Sequence, residues 1–334
     1  MEEAMNMKNS SGALLRKVIK TTMFALACGV MSTAHAWPDR AIKMIVPFPA
    51  GGINDTVARL TATYLGEELK TSVIVENRAG AGGTIGTMSA VNSQADGYTL
   101  LLGATSTIAV APHLYKNVGY SPSKDLVALG GIASAPSIAV TAADSPWSDL
   151  GALVAADKKD PAAINYGSAG AGTSHHIQTE LLKLRTGSQW MHVPYRGGAP
   201  AMTDLMGKQI DLLLEPLPTA LPFVQSGRVK ALGVTTLQRS AVLPDVKTFH
   251  EQGITDYEAT LWFGLFAPVG VPAEVSSKVS DALRRVFARP DVKQDLRQRG
   301  IDAYPDGPKQ FADFVEAEIK LWGDVITKAK ISVN

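Results

Sequence analysis

The chain has 334 residues, of which 46% are hydrophobic and 19% are charged, and its formal net charge at pH 7 is +1. This composition excludes a disordered chain, and the length is sufficient for two domains that each bury a core. The balanced charge gives no electrostatic footprint for nucleic acid, so we expect no nucleic-acid partner.

The first 36 residues have the layout of a secretory signal peptide. A basic stretch at residues 16–20 precedes an apolar run that ends in the small-x-small triplet at residues 34–36. The run is about 14 residues long, too short to span a bilayer. We expect cleavage between Ala36 and Trp37 and a periplasmic protein. An amphipathic N-terminal helix and a lipid anchor at Cys28 are the alternatives.

Removal of residues 1–36 changes the charge and the cysteine content. Of the 32 basic and 31 acidic residues, 28 and 29 remain, so the net charge becomes −1. Cys28 is the single cysteine and is removed as well. We therefore expect a mature protein without disulfides.

The next part of the chain alternates strands, glycine turns and helices. Apolar runs predict strands at residues 41–48, 71–77 and 97–104, and helical spacing predicts helices at 53–69 and 85–92. This order is typical of a parallel sheet with helices on its faces. Ligands bind such sheets at the carboxyl ends of the strands.

The second part repeats the pattern and adds two different segments. Strands are predicted at 164–168, 190–197, 210–216 and 229–236, each of the first three followed by a helix. Residues 127–142 and 257–270 are extended and apolar, and we interpret them as two crossover strands between two α/β domains. Domain 1 would comprise residues 37–136 and 260–334, and domain 2 residues 137–259. Amphipathic helices within 273–300 and 308–330 would cover domain 1.

Two glycine loops are candidates for anion binding. "PFPAGGIND" (47–55) and "GSAGAGTSHH" (167–176) each join a strand to a helix. Their N–H groups and the positive end of the following helix favour an anion. A tight turn followed by a capped helix is the structural alternative for each loop. If they belong to different domains, the two loops would face each other across one cleft.

Other chemistries find weaker support in these loops. Neither has the lysine of G-x-x-x-x-G-K-[ST], and the loop at residues 80–86 lacks the third glycine of a dinucleotide site. His175 and His176 are adjacent and have no third ligand at a useful spacing, so we expect no metal and no cofactor. No G-x-S-x-G is present, and we expect a protein that is not an enzyme. An exported hydrolase that uses Ser168 stays an alternative.

Several longer blocks resemble one family. "IVPFPAGGINDTVARL", "VENRAGAGGTIG", "INYGSAGAGTSHHIQTELL" and "HVPYRGGAPAMTDLMGKQID" occur in the order found in the Bug family, the extracytoplasmic solute receptors of tripartite tricarboxylate transporters. The likeness runs from about Trp37 to the C-terminus. It implies a two-domain, type II periplasmic binding protein fold with two hinge strands that closes on a carboxylated solute.

The resemblance also implies where the solute binds. In the family a carboxylate is held between the first strand-helix loop and a loop of domain 2, and the "GATS" turn occupies the position of a third loop. His176 matches the family's histidine, whereas His175 lies at a variable position and is a candidate for selectivity. The expected site residues are Phe48, Ala50, Gly51, Gly52, Asn54, Asp55, Thr105, Ser106, Ser168, Ala169, Gly172, Thr173, Ser174, His175, His176, Glu215 and Trp262.

Three of these residues have an alternative interpretation. Glu215 replaces a usual aspartate and could accept a hydrogen bond from the ligand, or it could interact only with a helix dipole. Trp262 and Phe48 could stack on a cyclic ligand, although both residue types are more often core residues.

The expected function is therefore that of a monomeric receptor that delivers a small organic carboxylate to membrane permease subunits. A sensory receptor that hands its closed form to a signalling protein is the alternative. The solute itself is left open among dicarboxylates, tricarboxylates, aromatic acids and acidic amino-acid derivatives.

Overall fold

The computed structural model describes residues 37–255, 257, 259–304, 306–329 and 331. The chain divides into two units, residues 1–39 and residues 40–334, and the strands and helices described here lie in the second. The predicted signal peptide lies outside the described residues. Within the described part, the helices are too short or too polar to cross a membrane.

The first half alternates strands and helices as predicted up to β3, and two short helices that were not predicted precede β4. Its elements are β1 (Ile42–Val46), α1 (Ile53–Leu69), β2 (Val73–Asn77), α2 (Thr84–Val91), β3 (Thr99–Ala104), a π-helix (Thr105–Val110), α3 (Ala111–Leu114), α4 (Pro122–Asp125) and the long strand β4 (Leu126–Ala142). The predicted helix at 53–69 matches α1 at both ends. The π-helix was not predicted, and it begins where the "GATS" turn was expected.

The second half continues the same alternation. Its elements are α5 (Leu150–Lys159), β5 (Asn165–Ser168), α6 (Ser174–Thr186), β6 (Met191–Pro194), α7 (Gly198–Met206), β7 (Leu212–Pro216), α8 (Leu217–Gln225), β8 (Val229–Val234), β9 (Thr260–Pro268), α9 (Ala273–Ala288), α10 (Pro290–Gln298), β10 (Asp302–Ala303) and α11 (Pro308–Ala329). Residues 273–300 form two helices because Pro290 has no N–H and holds Arg289 in an extended conformation.

The strands form one mixed sheet in the order β2-β1-β3-β9-β4-β7-β5-β6. The outer groups β2-β1-β3 and β7-β5-β6 are parallel, whereas the pairs β3-β9, β9-β4 and β4-β7 are antiparallel. Strands β8 and β10 also pair with β4. The two segments interpreted as crossover strands are therefore β4 and β9, which pair with each other and join the two parallel groups.

The connecting strands β4 and β9 are linked by hydrogen bonds to Thr235. The Thr235 hydroxyl accepts from Ser137 N at 2.9 Å and donates to Ala259 O at 2.6 Å. Ser137 belongs to β4, and Ala259 directly precedes β9. One buried side chain thus ties both connecting strands to the end of β8.

Helices cover the sheet and complete the core. Helix α11 packs against β4 and the π-helix, and α9 packs against β4 and α1. A second cluster lies between β4, β7, β8, α7 and α8 and includes Ile138, Leu205, Leu213 and Val234. The α/β class predicted from the alternating pattern is confirmed.

Candidate functional site

Both candidate glycine loops begin at the carboxyl end of a parallel strand and end at a helix N-terminus. The first joins β1 to α1, and the second joins β5 to α6. The N-cap residues are Gly52 and Thr173, and neither helix has a hydrogen bond from a capping side chain. The first N–H groups of a helix have no partner within the helix, so the first turns of α1 and α6 can donate to a ligand.

Asp55 fixes the shape of the first loop. Its carboxylate accepts hydrogen bonds from Gly51 N at 3.0 Å, Arg59 Nε at 2.9 Å and Asn77 Nδ2 at 3.0 Å. Burial alone would raise the pKa of this carboxyl, but these hydrogen bonds and the Arg59 charge bring it below its ordinary value. Asp55, a predicted site residue, thus supports the loop, and both of its carboxylate oxygens already accept hydrogen bonds from the protein.

Other residues of the first loop are more open. Ala50, Gly51 and Gly52 are exposed, and Asn54 has a buried side-chain oxygen without a hydrogen-bond partner among the described residues. The Phe48 carbonyl accepts from Asn77 Nδ2 at 3.1 Å. Asp55 and Asn77 therefore hold the loop that carries the exposed glycines, through hydrogen bonds to Gly51 N and Phe48 O. Sequence reasoning missed Asn77, whose only signal is its position at the end of β2.

The first glycine loop and the "GATS" turn, which is the third expected loop, come together around Gly83. A Cβ atom at Gly83 would lie 3.1 Å from Phe48 Cζ and 2.6 Å from Thr107 Cγ2. Thr105 and Ser106 are buried in the first turn of the π-helix, and Thr105 Oγ1 accepts from Trp262 N at 3.1 Å. The structure thus brings Phe48 close to the turn that carries Thr105 and Ser106.

The Trp262 ring makes the contacts of a core residue. Its indole N–H donates to Glu318 Oε2 at 2.8 Å, and its ring packs edge-on against Phe311 and Phe314. Only 1% of the residue is exposed. The proposed stacking of Trp262 on a ligand stays a prediction.

The second loop is held by its own polar groups. Ser168 Oγ accepts from Gly170 N at 3.1 Å, and Thr173 Oγ1 donates to Gly170 O at 2.7 Å. Gly172 N donates to His176 Nδ1 at 3.1 Å. Since this nitrogen accepts, the neutral His176 ring carries its proton on Nε2. Ala169 and Ser174 are partly exposed on the same loop.

Three nearly parallel rings lie next to this loop. The His192 centroid is 4.0 Å from that of His176 and 4.9 Å from that of Tyr166, and the His176 and Tyr166 centroids are 6.5 Å apart. His192 Nε2 is 2.6 Å from Ser168 Oγ. Burial lowers the pKa of His192 to about 4 and also lowers the pKa of His176, so both rings are neutral at pH 7. Sequence reasoning missed His192, which the register of β6 places opposite Tyr166 of β5.

His175 and Glu215, predicted separately, form a pair. His175 Nε2 lies 3.1 Å from Glu215 Oε2, and 8% and 4% of the two residues are exposed. The other carboxylate oxygen accepts from the Thr219 hydroxyl. His175 Nδ1 is buried and has no hydrogen-bond partner among the described residues.

The loops of the two strand groups approach each other at Leu114 and Tyr115. A Cβ atom at Gly172 would lie 2.5 Å from Leu114 Cδ2, and one at Gly82 would lie 2.2 Å from the Tyr115 hydroxyl. This hydroxyl is 3.4 Å from the carbonyl oxygen of Ala171, to which it donates. Tyr115 therefore contacts glycine loops from both groups, a role that no sequence pattern indicated.

Other candidate sites differ in position or are absent. A cavity of about 240 Å³, lined by Arg40, Lys43, Asp96 and neighbouring residues, lies at the amino ends of β1 and β3, away from the glycine loops. In the part of the chain that the structure describes, no three His, Cys, Asp or Glu side chains are grouped so that they could hold a metal ion.

Comparisons with known proteins bear on the family and the fold. The model of the tripartite tricarboxylate transporter family receptor matches residues 57–331. Protein BugT of Bordetella pertussis is 34% identical over 314 residues, covering 92% of this chain and 96% of BugT. The structure of R. palustris Rpa4515 with adipate has a TM-score of 0.85 at 32% identity and covers 89% of this chain and 99% of its own. MatC from Rhodopseudomonas palustris with bound malate has a TM-score of 0.81 at 30% identity, with coverages of 87% and 100%.

Proposed function

Because the chain belongs to the receptors of the tripartite tricarboxylate transporter family, we propose that it captures a small organic carboxylate in the periplasm and delivers it to the membrane subunits of such a transporter. The fold is the α/β fold of periplasmic binding proteins. Export to the periplasm would use the sequence at residues 1–36, and the receptor would act as a monomer.

One observation carries the proposal. Two helices, α1 and α6, begin without a capping side chain, and the loop before α6 contacts Leu114 and Tyr115 of the strand group that carries α1. Unpaired N–H groups at two positive helix ends favour a single negative group between them. Neither loop contains a lysine or an arginine. A carboxylate would thus be held by neutral donors, which release it when the cleft opens.

The solved relatives support the ligand class. One was solved with adipate and another with malate, both of them organic carboxylates. This chain shares about a third of its residues with each. We infer the same class here.

The cleft would open and close about the connecting strands. We propose residues 37–136 and 260–334 as one lobe and residues 137–259 as the other. Strands β4 and β9 would form the hinge, and Thr235 would hold it together through Ser137 and Ala259. Closure of two lobes around a ligand is a known mode of domain motion.

Titration calorimetry on the purified protein tests the proposal. We expect malate, succinate or adipate to bind, and the methyl esters of the same acids to bind at least ten times more weakly. A thermal shift should accompany binding, because a ligand at 100 times its Kd stabilises the native state by about 2.7 kcal/mol. If the esters bind as tightly as the acids, or if no organic acid binds, the proposal is wrong.

The contact between Ser168 and His192 favours a hydrolase as the second candidate. The pair lies at 2.6 Å, a distance suited to proton transfer. However, Ser168 is fully buried, and the His192 ring stacks on His176. Incubation with p-nitrophenyl esters separates the two functions. A receptor returns them unchanged, whereas turnover that disappears in Ser168→Ala would establish the enzyme.

A further inference from the structure

We propose that the Tyr115 hydroxyl couples closure of the cleft to the shape of the second glycine loop, and that it thereby determines how long a bound carboxylate stays. The inference rests on the proposed function, because it assumes that two lobes close on a ligand at the glycine loops. Tyr115 would not touch the ligand. It would be a positioning residue that acts through the peptide group joining Ala171 to Gly172.

Tyr115 is anchored in the proposed lobe that carries α1. It is the C-cap residue of α3, and a Cβ atom at Gly82 would lie 2.2 Å from its hydroxyl, so the end of the phenol ring packs on that glycine. The His113 ring packs on Gly323 of α11 in the same way, since a Cβ atom there would lie 2.8 Å from His113 Cε1. Both glycines belong to the same proposed lobe, which therefore fixes the end of α3 and the tyrosine that follows it.

The same side chain reaches the proposed lobe that carries α6. Its hydroxyl donates to Ala171 O at 3.4 Å, and Leu114 beside it packs on Gly172. Burial raises the pKa of Tyr115 above its ordinary value, so the hydroxyl keeps its proton and stays a donor. The distance is longer than the usual O–H···O separation of about 2.7 to 2.8 Å, and closure on a ligand would shorten it. Tyr115 thus links a fixed position in one lobe to a loop of the other.

One peptide group of this loop is held from two sides. Its carbonyl, at Ala171, accepts from the Tyr115 hydroxyl, and its N–H, at Gly172, donates to His176 Nδ1 at 3.1 Å. His176 belongs to α6, the helix that the loop itself begins. The orientation of the peptide group is therefore set by one contact within its own lobe and by one contact across the cleft.

This orientation matters because the loop is otherwise free to turn. Gly170 and Gly172 have φ values of +126° and +79°, and glycine has more conformational freedom to lose than any other residue. The held peptide group lies directly before the N-cap residue Thr173, and the first N–H groups of α6 follow it. Those N–H groups have no partner within the helix and would bind the carboxylate. A contact that fixes the peptide group therefore also fixes the donors that hold the ligand.

Stopped-flow tryptophan fluorescence of Tyr115→Phe tests the inference, with malate and adipate as the probes. Phenylalanine keeps the ring and removes the hydroxyl. We expect the dissociation rate of the bound acid to rise about two- to tenfold, which corresponds to one neutral hydrogen bond. The association rate should stay within about twofold of the wild type, because affinity differences among variants of one site arise mainly in the dissociation rate.

Tyr64→Phe provides the matched control. The Tyr64 hydroxyl donates to Asp295 Oδ2 at 3.0 Å, a contact between α1 and α10 within one proposed lobe. This variant loses a hydroxyl of the same kind without a contact across the cleft. Both rates should therefore keep their wild-type values.

A double variant separates positioning from packing. His176→Phe keeps an aromatic ring but removes the nitrogen that accepts from Gly172 N, so it should also raise the dissociation rate. Combined with Tyr115→Phe, the increase should be smaller than the product of the two single increases, because both residues hold one peptide group. Combined with Tyr64→Phe, the increases should multiply.

Urea unfolding of the unliganded proteins checks that each variant is folded, and Tyr115→Phe alone decides if His176→Phe does not fold. An unchanged dissociation rate in Tyr115→Phe, while the acid still binds, overturns the inference. A change in the association rate alone overturns it as well, as does a double variant with Tyr115→Phe whose increase equals the product. If neither acid binds the wild type, the proposed function fails, and this inference fails with it.

Discussion

The contact between Gly172 and Leu114 makes a quantitative prediction. Gly172 has a φ of +79°, and a Cβ atom there would lie 2.5 Å from Leu114 Cδ2. Gly172→Ala therefore introduces backbone strain of about 1 to 2 kcal/mol. The clash adds about 1 to 3 kcal/mol, because a packed core resists an extra methyl group. We expect the free energy of unfolding to fall by the sum of the two.

Gly187, at the other end of α6, provides a matched control. Its φ is +71°, and a Cβ atom there would have no neighbour within 4 Å. Gly187→Ala should therefore show only the strain of about 1 to 2 kcal/mol. Urea unfolding followed by tryptophan fluorescence measures both variants. We also expect Gly172→Ala, but not Gly187→Ala, to weaken adipate binding.

A double-mutant cycle with Leu114→Ala isolates the contact. Leu114 is 6% exposed, so its truncation alone should cost about 2 to 5 kcal/mol. In the double variant with Gly172→Ala the methyl group gains room, and the total loss should be about 0.5 to 3 kcal/mol smaller than the sum. With Gly187→Ala the losses should add within about 0.5 kcal/mol. Equal additivity in both cycles would show that Gly172 and Leu114 are not in contact as described.

Three further predictions concern buried polar groups. The pKa of His192 is lowered from 6.5 to about 4, so the neutral ring stabilises the fold fully above pH 6.5, and this contribution is lost as the pH falls towards 4. In urea unfolding, the free energy of unfolding of His192→Phe should therefore decline less over this pH range than that of the wild type. Asp55→Asn should lower the free energy of unfolding at pH 7 by about 1 to 3 kcal/mol, because the lowered pKa of Asp55 reflects bonds that its charged form makes. Thr235→Val should cost a similar amount, about 1 to 3 kcal/mol, because two buried backbone groups lose their partner.

Exposed residues of the same types provide the controls for these three variants. His250→Gln should leave the pH dependence unchanged, and Asp144→Asn should have little effect, since Asp144 and its partner Lys208 are 66% and 62% exposed. The Thr236 hydroxyl donates to Gln238 O in an exposed turn, so Thr236→Val should be nearly neutral. If the free energy of unfolding of His192→Phe changes with pH as that of the wild type does, the neutral state inferred for His192 is wrong. Losses equal to those of the controls would contradict the roles of Asp55 and Thr235.

The sequence by itself determined the elements and their class. Apolar spacing predicted α1 at its observed ends, Ile53 and Leu69, and the alternation of strands and helices predicted the parallel pairing within the groups β2-β1-β3 and β7-β5-β6. Glycines between strand and helix also marked both loops. These features are local, because they depend on residues within one or two turns of each other.

Only the tertiary structure decided which side chains face the loops. Glu215 meets His175 because β7 lies beside β5, although 40 residues separate the pair in the chain. The pairing of β5 with β6 likewise brings the His192 ring against His176. The pairing of β9 with β4 and β3 places Trp262 so that its side chain contacts α11. Such contacts follow from strand order and register, and a shift of one residue would reverse the face of every side chain. Local periodicity carries no information about that choice.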